Sequence, residues 1–188
     1  AGQRCTSTRR LIIQEKIYAK FISKLIANYK KVAIGDPLDP KTLMGPLIDE
    51  TAVADYEAAI KAAKEQGGKV LYGGKVLKPF GAATFVLPTI IEIENKAQIV
   101  QHETFAPVLY VMKYKRFDQA VKMHNDVPQG LSSAVYTDSV AEGEGFRPLP
   151  VQVRSEESGQ AIVSGELSAG DRVAVSGTAA LKAAWLGG

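Results

Sequence analysis

The only cysteine of the chain, Cys5, lies within its first ten residues, Ala-Gly-Gln-Arg-Cys-Thr-Ser-Thr-Arg-Arg. A thiol nucleophile needs backbone that can approach a substrate, polar neighbours, and no bulky side chain in front of the sulfur. Gly2 and the hydroxyl residues Thr6, Ser7 and Thr8 meet those conditions. A lone cysteine is also commonly an inert buried residue, and composition alone leaves both readings open. Other candidate chemistry is thinner. His102 and His124 are isolated from any Cys or His at ligand spacing, so no metal site is expected. Gly68, Gly73 and Lys75 miss the phosphate-loop spacing by one position, and Val76 stands where a magnesium-binding hydroxyl is required. Turn glycines flanking a strand are the better reading. Glu156-Glu157 is expected as a loop charge pair and not an acid–base dyad, because adjacent residues on an extended chain point apart.

The elements that must hold the cysteine follow from periodicity. Arg9 to Gln14 carries Leu11, Ile12 and Ile13 and predicts a short buried strand. From Glu15 the pattern becomes helical. Ile17, Phe21, Leu25 and Tyr29, with Ile22 and Ile26 beside them, form the expected apolar stripe, opposite Lys16, Lys20, Lys24 and Asn28. Gly35-Asp36-Pro37 is expected to stop this helix, and Pro37 and Pro40 to keep the next stretch out of helix. Asp49 or Thr51 can cap a second helix that runs through Ala52, Ala59 and Ala63 to Gly67-Gly68.

Beyond it the chain predicts a strand at 69–72, a strand over 85–91 broken at Pro88, and one over 107–114 with alternating apolar positions. A short helix at 117–125 and a strand at 130–136 follow. Strands and helices alternating at these lengths indicate an α/β layer structure. At 188 residues the chain can bury one sizeable core or two small ones. Its 46% hydrophobic and 23% charged content is ordinary for a globular protein. The net charge of +3 comes from scattered Lys and Arg, so a solvated face is favoured over a nucleic-acid footprint. One cysteine excludes an internal disulfide framework and leans towards the cytosol. No apolar run reaches membrane-spanning length, and no signal-peptide pattern opens the chain. The start on Ala-Gly-Gln without Met suggests a fragment or a processed terminus.

Gly2-Gln3-Arg4-Cys5-Thr6 resembles the nucleophile motif of the NAD(P)-dependent aldehyde dehydrogenases. The likeness continues in the family's order through 35–37, 45–48, 87–89, Glu103-Thr104-Phe105-Ala106-Pro107 and 130–137, covering about residues 1 to 138. Ala106 within the Glu-x-Phe-Gly-Pro position, with Arg4 and Thr6 around the cysteine, is similar to the branch that oxidises 2-aminoadipic semialdehyde in lysine breakdown. The resemblance implies an oxidoreductase fragment, the later part of a dehydrogenase catalytic domain. Cys5 would be its nucleophile, Glu103 would contact the nicotinamide ribose, and Phe105 would pack near the ring of NAD or NADP. It implies a small-molecule aldehyde as substrate, no nucleic-acid partner, no membrane span and a cytoplasmic setting. The resemblance also implies that the side-chain amide of the oxyanion hole and the carboxylate base precede the cysteine. The cofactor domain and the oligomerising hairpin are then absent too, and the chain alone is not expected to turn over aldehyde.

Residues 139–145 read as a junction, and 146–188 as a small β-rich tail in which Val151, Val153, Ile162, Val163, Val173 and Val175 fall in short runs. The segments 145–151 and 167–173 resemble the C-terminal part of the periplasmic adaptors of efflux pumps. That likeness implies a transport or assembly component and a periplasmic location. A chimera, a frameshifted assembly or an engineered fusion accounts for both likenesses in one chain, and Trp185 is expected to anchor a last helical turn. A third reading has neither half working, each cut from a larger core and exposing apolar surface.

Overall fold

A computed structural model describes residues 1–78 and 84–136, together with the backbone of strands at 151–157 and 160–165. It divides into two units, 1–129 and 130–188. The first is built on a four-stranded sheet. Strand β1 (Arg10–Gln14) pairs in parallel with β6 (Val108–Tyr114), β6 in parallel with β5 (Thr89–Glu92), and β5 antiparallel with β2 (Lys69–Tyr72). A second pair, β3 (Val76–Leu77) with β4 (Phe85–Val86), lies outside this sheet.

The side chains of the central strands alternate between two cores. Val108, Tyr110 and Met112 of β6, with Ile91 of β5, face one side. Leu109 and Val111, with Ile90 and Ile13, face the other. Helix α1 (Glu15–Tyr29) covers the second side. The first is covered by α2 (Glu50–Glu65), the short α3 (Gln98–Gln101) and Met123 of α4 (Phe117–Asn125). A strand buried on both faces needs a near-continuous apolar run, and Val-Leu-Tyr-Val-Met supplies it. The α/β layering expected from the alternation of elements is therefore present.

Helix α2 begins where its cap chemistry says it should. The Asp49 carboxylate accepts the Ala52 N–H at 2.8 Å. It ends at Gly67 in the left-handed region, with the Gly68 N–H donating to the Ala63 carbonyl at 2.7 Å. The strand break at Pro88 separates β4 from β5. Gly73 and Gly74 both have positive φ, and a Cβ on Gly73 would lie 2.5 Å from the Pro88 carbonyl oxygen. They form a tight turn over Thr89, whose Oγ1 accepts the Gly74 N–H at 2.8 Å and shares a hydrogen bond with the Tyr56 hydroxyl at 2.7 Å.

Helix α1 departs from the sequence expectation in two ways. It ends at Tyr29, ahead of Gly35, because Ala33 turns its carbonyl to the N–H groups of Leu43 and Met44 and Ile34 bridges Met44. Backbone committed to that loop cannot extend a helix. The buried stripe is also rotated. Tyr18 and Ile22 are buried, whereas Ile17 and Phe21 are 54% and 39% exposed. The cause is a polar clasp: the Tyr18 hydroxyl donates to the Glu92 carboxylate, Lys113 pairs with Glu92 at 3.2 Å, and the Lys113 ammonium sits 4.3 Å from the Tyr18 ring centre. Burial, then the hydrogen bond to Glu92, raises the Tyr18 pKa, while the same bond holds Glu92 below the usual carboxylate range.

The strand expected at 130–136 does not form. No described residue pairs with that backbone, and a strand without a neighbour leaves its ladder groups unmade. In the second unit, β7 (Val151–Glu157) and β8 (Gln160–Gly165) pair antiparallel. Glu156 and Glu157 thus belong to a strand and not to a loop. They pair with Ala161 and Gln160, and the ladder carries them as extended backbone. The junction at 139–145 and Val173, Val175 and Trp185 of the expected tail lie outside the described residues.

Candidate active site

Cys5 lies on the corner of a turn closed by Arg4 and Ser7. The Ser7 N–H donates to the Arg4 carbonyl at 3.0 Å, and the Arg4 N–H donates to Ser7 Oγ at 3.2 Å. The thiol is exposed. It is not packed in hydrocarbon, so the buried reading of this residue does not describe it.

Gly2 acts inward, a different role from the one its sequence position suggested. It has φ +70°, and a Cβ there would stand 2.8 Å from the Ala106 carbonyl oxygen and from Pro107 N and Cα. The cysteine loop is therefore packed backbone to backbone against the Glu-Thr-Phe-Ala-Pro segment, about a hundred residues away in sequence. Within that segment Thr104 and Ala106 are buried, while Glu103 is exposed and Phe105 is 43% exposed. The Ala106 N–H donates to the Thr104 carbonyl at 2.9 Å, a tight turn that leaves Glu103 and Phe105 both facing solvent.

Arg9 joins the two pieces. Its Nη1 donates to the Gly2 carbonyl at 2.7 Å and to the Ala106 carbonyl at 2.9 Å, and its Nη2 donates to the Arg4 carbonyl at 3.2 Å. The guanidinium lies 5.2 Å from the centre of the Phe105 ring. Burial lowers the pKa of Arg9, opposed by the charges of Glu103 and Tyr110. Burial pushes the Tyr110 phenol up to about 12, with Thr104 and Arg9 as its polar neighbours. The Gln3 side-chain oxygen accepts the Ile48 N–H at 3.1 Å and ties the loop to the 36–48 segment. In that segment Leu38, Leu43 and Ile48 are exposed apolar side chains.

The structure thus brings Cys5, Glu103 and Phe105 into one region. Sequence reasoning missed Arg9 and Gln3. Arg9 carried one usable signal, a charged residue at the entry to an apolar strand, where water alone does not readily solvate it. Two open depressions of about 400 and 580 Å³ flank Gln66 and residues 94–102, and neither is lined by Cys5, Glu103 or Phe105. Among the described residues no cluster of His, Cys, Asp or Glu could hold a metal, and no helix is long and apolar enough to cross a membrane.

Comparison with known proteins gives a consistent result. The family model described as "Aldehyde dehydrogenase family" matches residues 1–148, past the boundary near 138 expected from the motifs. The aldehyde dehydrogenase family 7 member A1 of Brassica napus is 51% identical over 139 residues, 74% of this chain and 28% of that protein. Alpha-aminoadipic semialdehyde dehydrogenase of Mus musculus is 43% identical over 150 residues, 79% of this chain and 27% of the relative. The chain therefore spans between a quarter and a third of the length of these relatives. Among solved structures, betaine aldehyde dehydrogenase from Staphylococcus aureus in complex with NAD+ superposes with a TM-score of 0.73 at 31% identity, over 77% of this chain and 29% of that one. HpcC from Thermus thermophilus gives 0.72 at 34% identity, over 76% and 29%. These matches support the dehydrogenase likeness and give no support to the efflux-adaptor one. With the family model matching residues 1–148 and relatives up to 51% identical over 139 residues, the chain belongs to the aldehyde dehydrogenase family.

Proposed function

We propose that this chain carries the nucleophile and the cofactor-facing segment of a site that oxidises a small semialdehyde to a carboxylate in the cytoplasm. Cys5 is the nucleophile: its thiolate attacks the aldehyde carbon, the C–S bond forms, and the carbonyl electron pair becomes an alkoxide. The Cys5 backbone N–H is one donor for that oxygen.

The residues on the outward side of the 103–107 segment suit a nicotinamide dinucleotide. Phe105 offers a half-exposed ring and Glu103 a carboxylate that accepts from hydroxyls. NAD or NADP, when bound, supplies the hydride acceptor. Glu103 then orients the ribose, and Phe105 packs beside the ring and excludes water from it. The relatives named for 2-aminoadipic semialdehyde support a substrate of that class, an aldehyde carrying a charged amino acid end, and a place in lysine degradation.

One observation carries this reading: the exposed Cys5 loop is packed directly on the segment that presents Glu103 and Phe105. Iodoacetamide labelling tests it. Cys5 should label at least several-fold faster than free cysteine at the same pH, and an aldehyde should slow that labelling by occupying the thiol. Labelling at the free-cysteine rate, unaffected by aldehyde, would rule the reading out.

A further inference from the structure

The Arg9 contacts have a consequence for the chemistry at Cys5. The Arg4 carbonyl and the Cys5 N–H belong to one planar peptide unit, and no described peptide bond is cis. In a trans unit the C=O and N–H point in opposite directions, so whatever fixes the oxygen also fixes the hydrogen. Two donors hold the Arg4 oxygen: Arg9 Nη2 at 3.2 Å and the Ser7 N–H at 3.0 Å. Among the described residues the Cys5 N–H itself makes no hydrogen bond. It is a fixed donor without an internal acceptor, on the residue that carries the thiol.

We propose that Arg9 is a positioning residue that aims the Cys5 backbone N–H at the oxyanion formed when the thiol attacks a carbonyl. The inference rests on the reading of Cys5 as nucleophile. Resting a charged donor on the Arg4 oxygen also polarises the peptide unit and makes its N–H a stronger donor. The other contacts supply the rigidity this needs. Nη1 bridges Gly2 and Ala106, so the loop on one side and the 103–107 segment on the other are referred to one planar guanidinium. Arg9 Nε is buried without a partner, so every hydrogen bond of the side chain comes from its two Nη groups. A lysine has one nitrogen and cannot span three carbonyls in this way.

The test compares two reactions of the same sulfur, the single thiol in the chain. With p-nitrophenyl acetate the thiolate adds to the ester carbon and the carbonyl pair moves to oxygen. The tetrahedral oxyanion then collapses, expelling p-nitrophenolate and leaving an acetyl thioester. With iodoacetamide the thiolate displaces iodide directly, and no oxyanion forms. Arg9→Met should lower the acylation rate roughly tenfold, since misaiming one such donor forfeits part of the hundredfold or more it contributes. Alkylation should change by less than about twofold, because it makes no use of that donor.

Arg9→Lys should fall between Arg9→Met and the unaltered chain. Circular dichroism at the assay temperature shows which variants are folded. Should Arg9→Met be unfolded, Arg9→Lys carries the same comparison, with a roughly threefold selective loss expected. An acylation-to-alkylation ratio unchanged in a folded variant, whether both rates hold or both fall together, overturns the proposal for Arg9 alone. An unaltered chain that acylates no faster than free cysteine overturns the nucleophile reading and the Arg9 proposal with it.

Discussion

Arg9 and Arg10 are adjacent, carry the same planar donor set, and spend it mostly on backbone carbonyls, yet they serve different regions. Arg9 reaches Gly2, Arg4 and Ala106 around an exposed thiol, an exposed carboxylate and a half-exposed aromatic ring. Arg10, the first residue of β1, reaches Asn95 Oδ1 at 2.8 Å and the carbonyls of Met123 and His124 at 2.7 and 2.8 Å. The Arg10 region is closed. Asn95 is buried and donates onward to Asp126 at 3.0 Å, and the last turn of α4 is fastened to the sheet. Both arginines lose proton affinity chiefly through burial, so both are desolvated. The difference lies in what they hold: Arg10 ties buried Asn95 to the end of α4, while Arg9 ties together groups left facing outward. Side-chain type and local sequence do not distinguish a structural clamp from a site clamp. The destination of the hydrogen bonds does.

The largest expected effect separates the two at once. Arg10→Met leaves Asn95 and two helix-end carbonyls without their donor, at about 1 kcal/mol each. The loss of about 3 kcal/mol should lower the melting temperature of the chain by roughly 10 °C. Below that temperature the acylation-to-alkylation ratio of Cys5 should be unchanged. A selective loss of acylation in Arg10→Met would show that the two clamps are not independent.

Gly2→Ala should act in the opposite sense. Its Cβ meets three backbone atoms at 2.8 Å and its φ is +70°, so the loop must lift from Pro107. The strain of about 1–3 kcal/mol is local to the loop. Acylation should fall several-fold, towards the rate of free cysteine, while the melt shifts by only a few degrees. A large drop in melting temperature, with the acylation ratio intact, would make this loop a structural element like its neighbour.

Much of this architecture was legible in the sequence wherever a short window determines the outcome. Asp49 and Gly67 mark the ends of α2, and Pro88 splits a strand, whereas the alternation expected over 107–114 gives way to burial on both faces at 108–112. The misjudged features depend on distant partners. Tyr18 is buried because Glu92 and Lys113 await it across the sheet, which displaces Ile17 and Phe21 to the surface. Residues 130–136 have strand-like composition but no paired neighbour among the described residues. At the site, Cys5, Glu103 and Phe105 came from motif resemblance, and their juxtaposition from the fold. Arg9 was invisible for the reason that Tyr18 was: its three acceptors lie on two segments, and only the folded chain brings them within reach of one side chain.

The smallest expected effect tests how far the Arg10 clamp extends into α4. Burial, then the charge of Arg10, lowers the pKa of His124 below its ordinary value of 6.5. The folded chain therefore prefers His124 neutral, and the unfolded chain binds the proton more readily. The sign follows: this contribution to stability is complete above the unfolded pKa and is lost as pH falls through about 6.5 towards the depressed folded value. The melting temperature should decline by about 2 °C between pH 7.5 and 5.5 on account of this group, a modest figure because the ring is only partly buried. His124→Gln should flatten that decline. In Arg10→Met the decline should shrink without vanishing, because desolvation of the imidazole is the larger cause and the guanidinium charge the smaller. A full decline retained in His124→Gln would assign the acid sensitivity to another group, with Glu92, held ionised by Tyr18 and Lys113, the next to examine at lower pH.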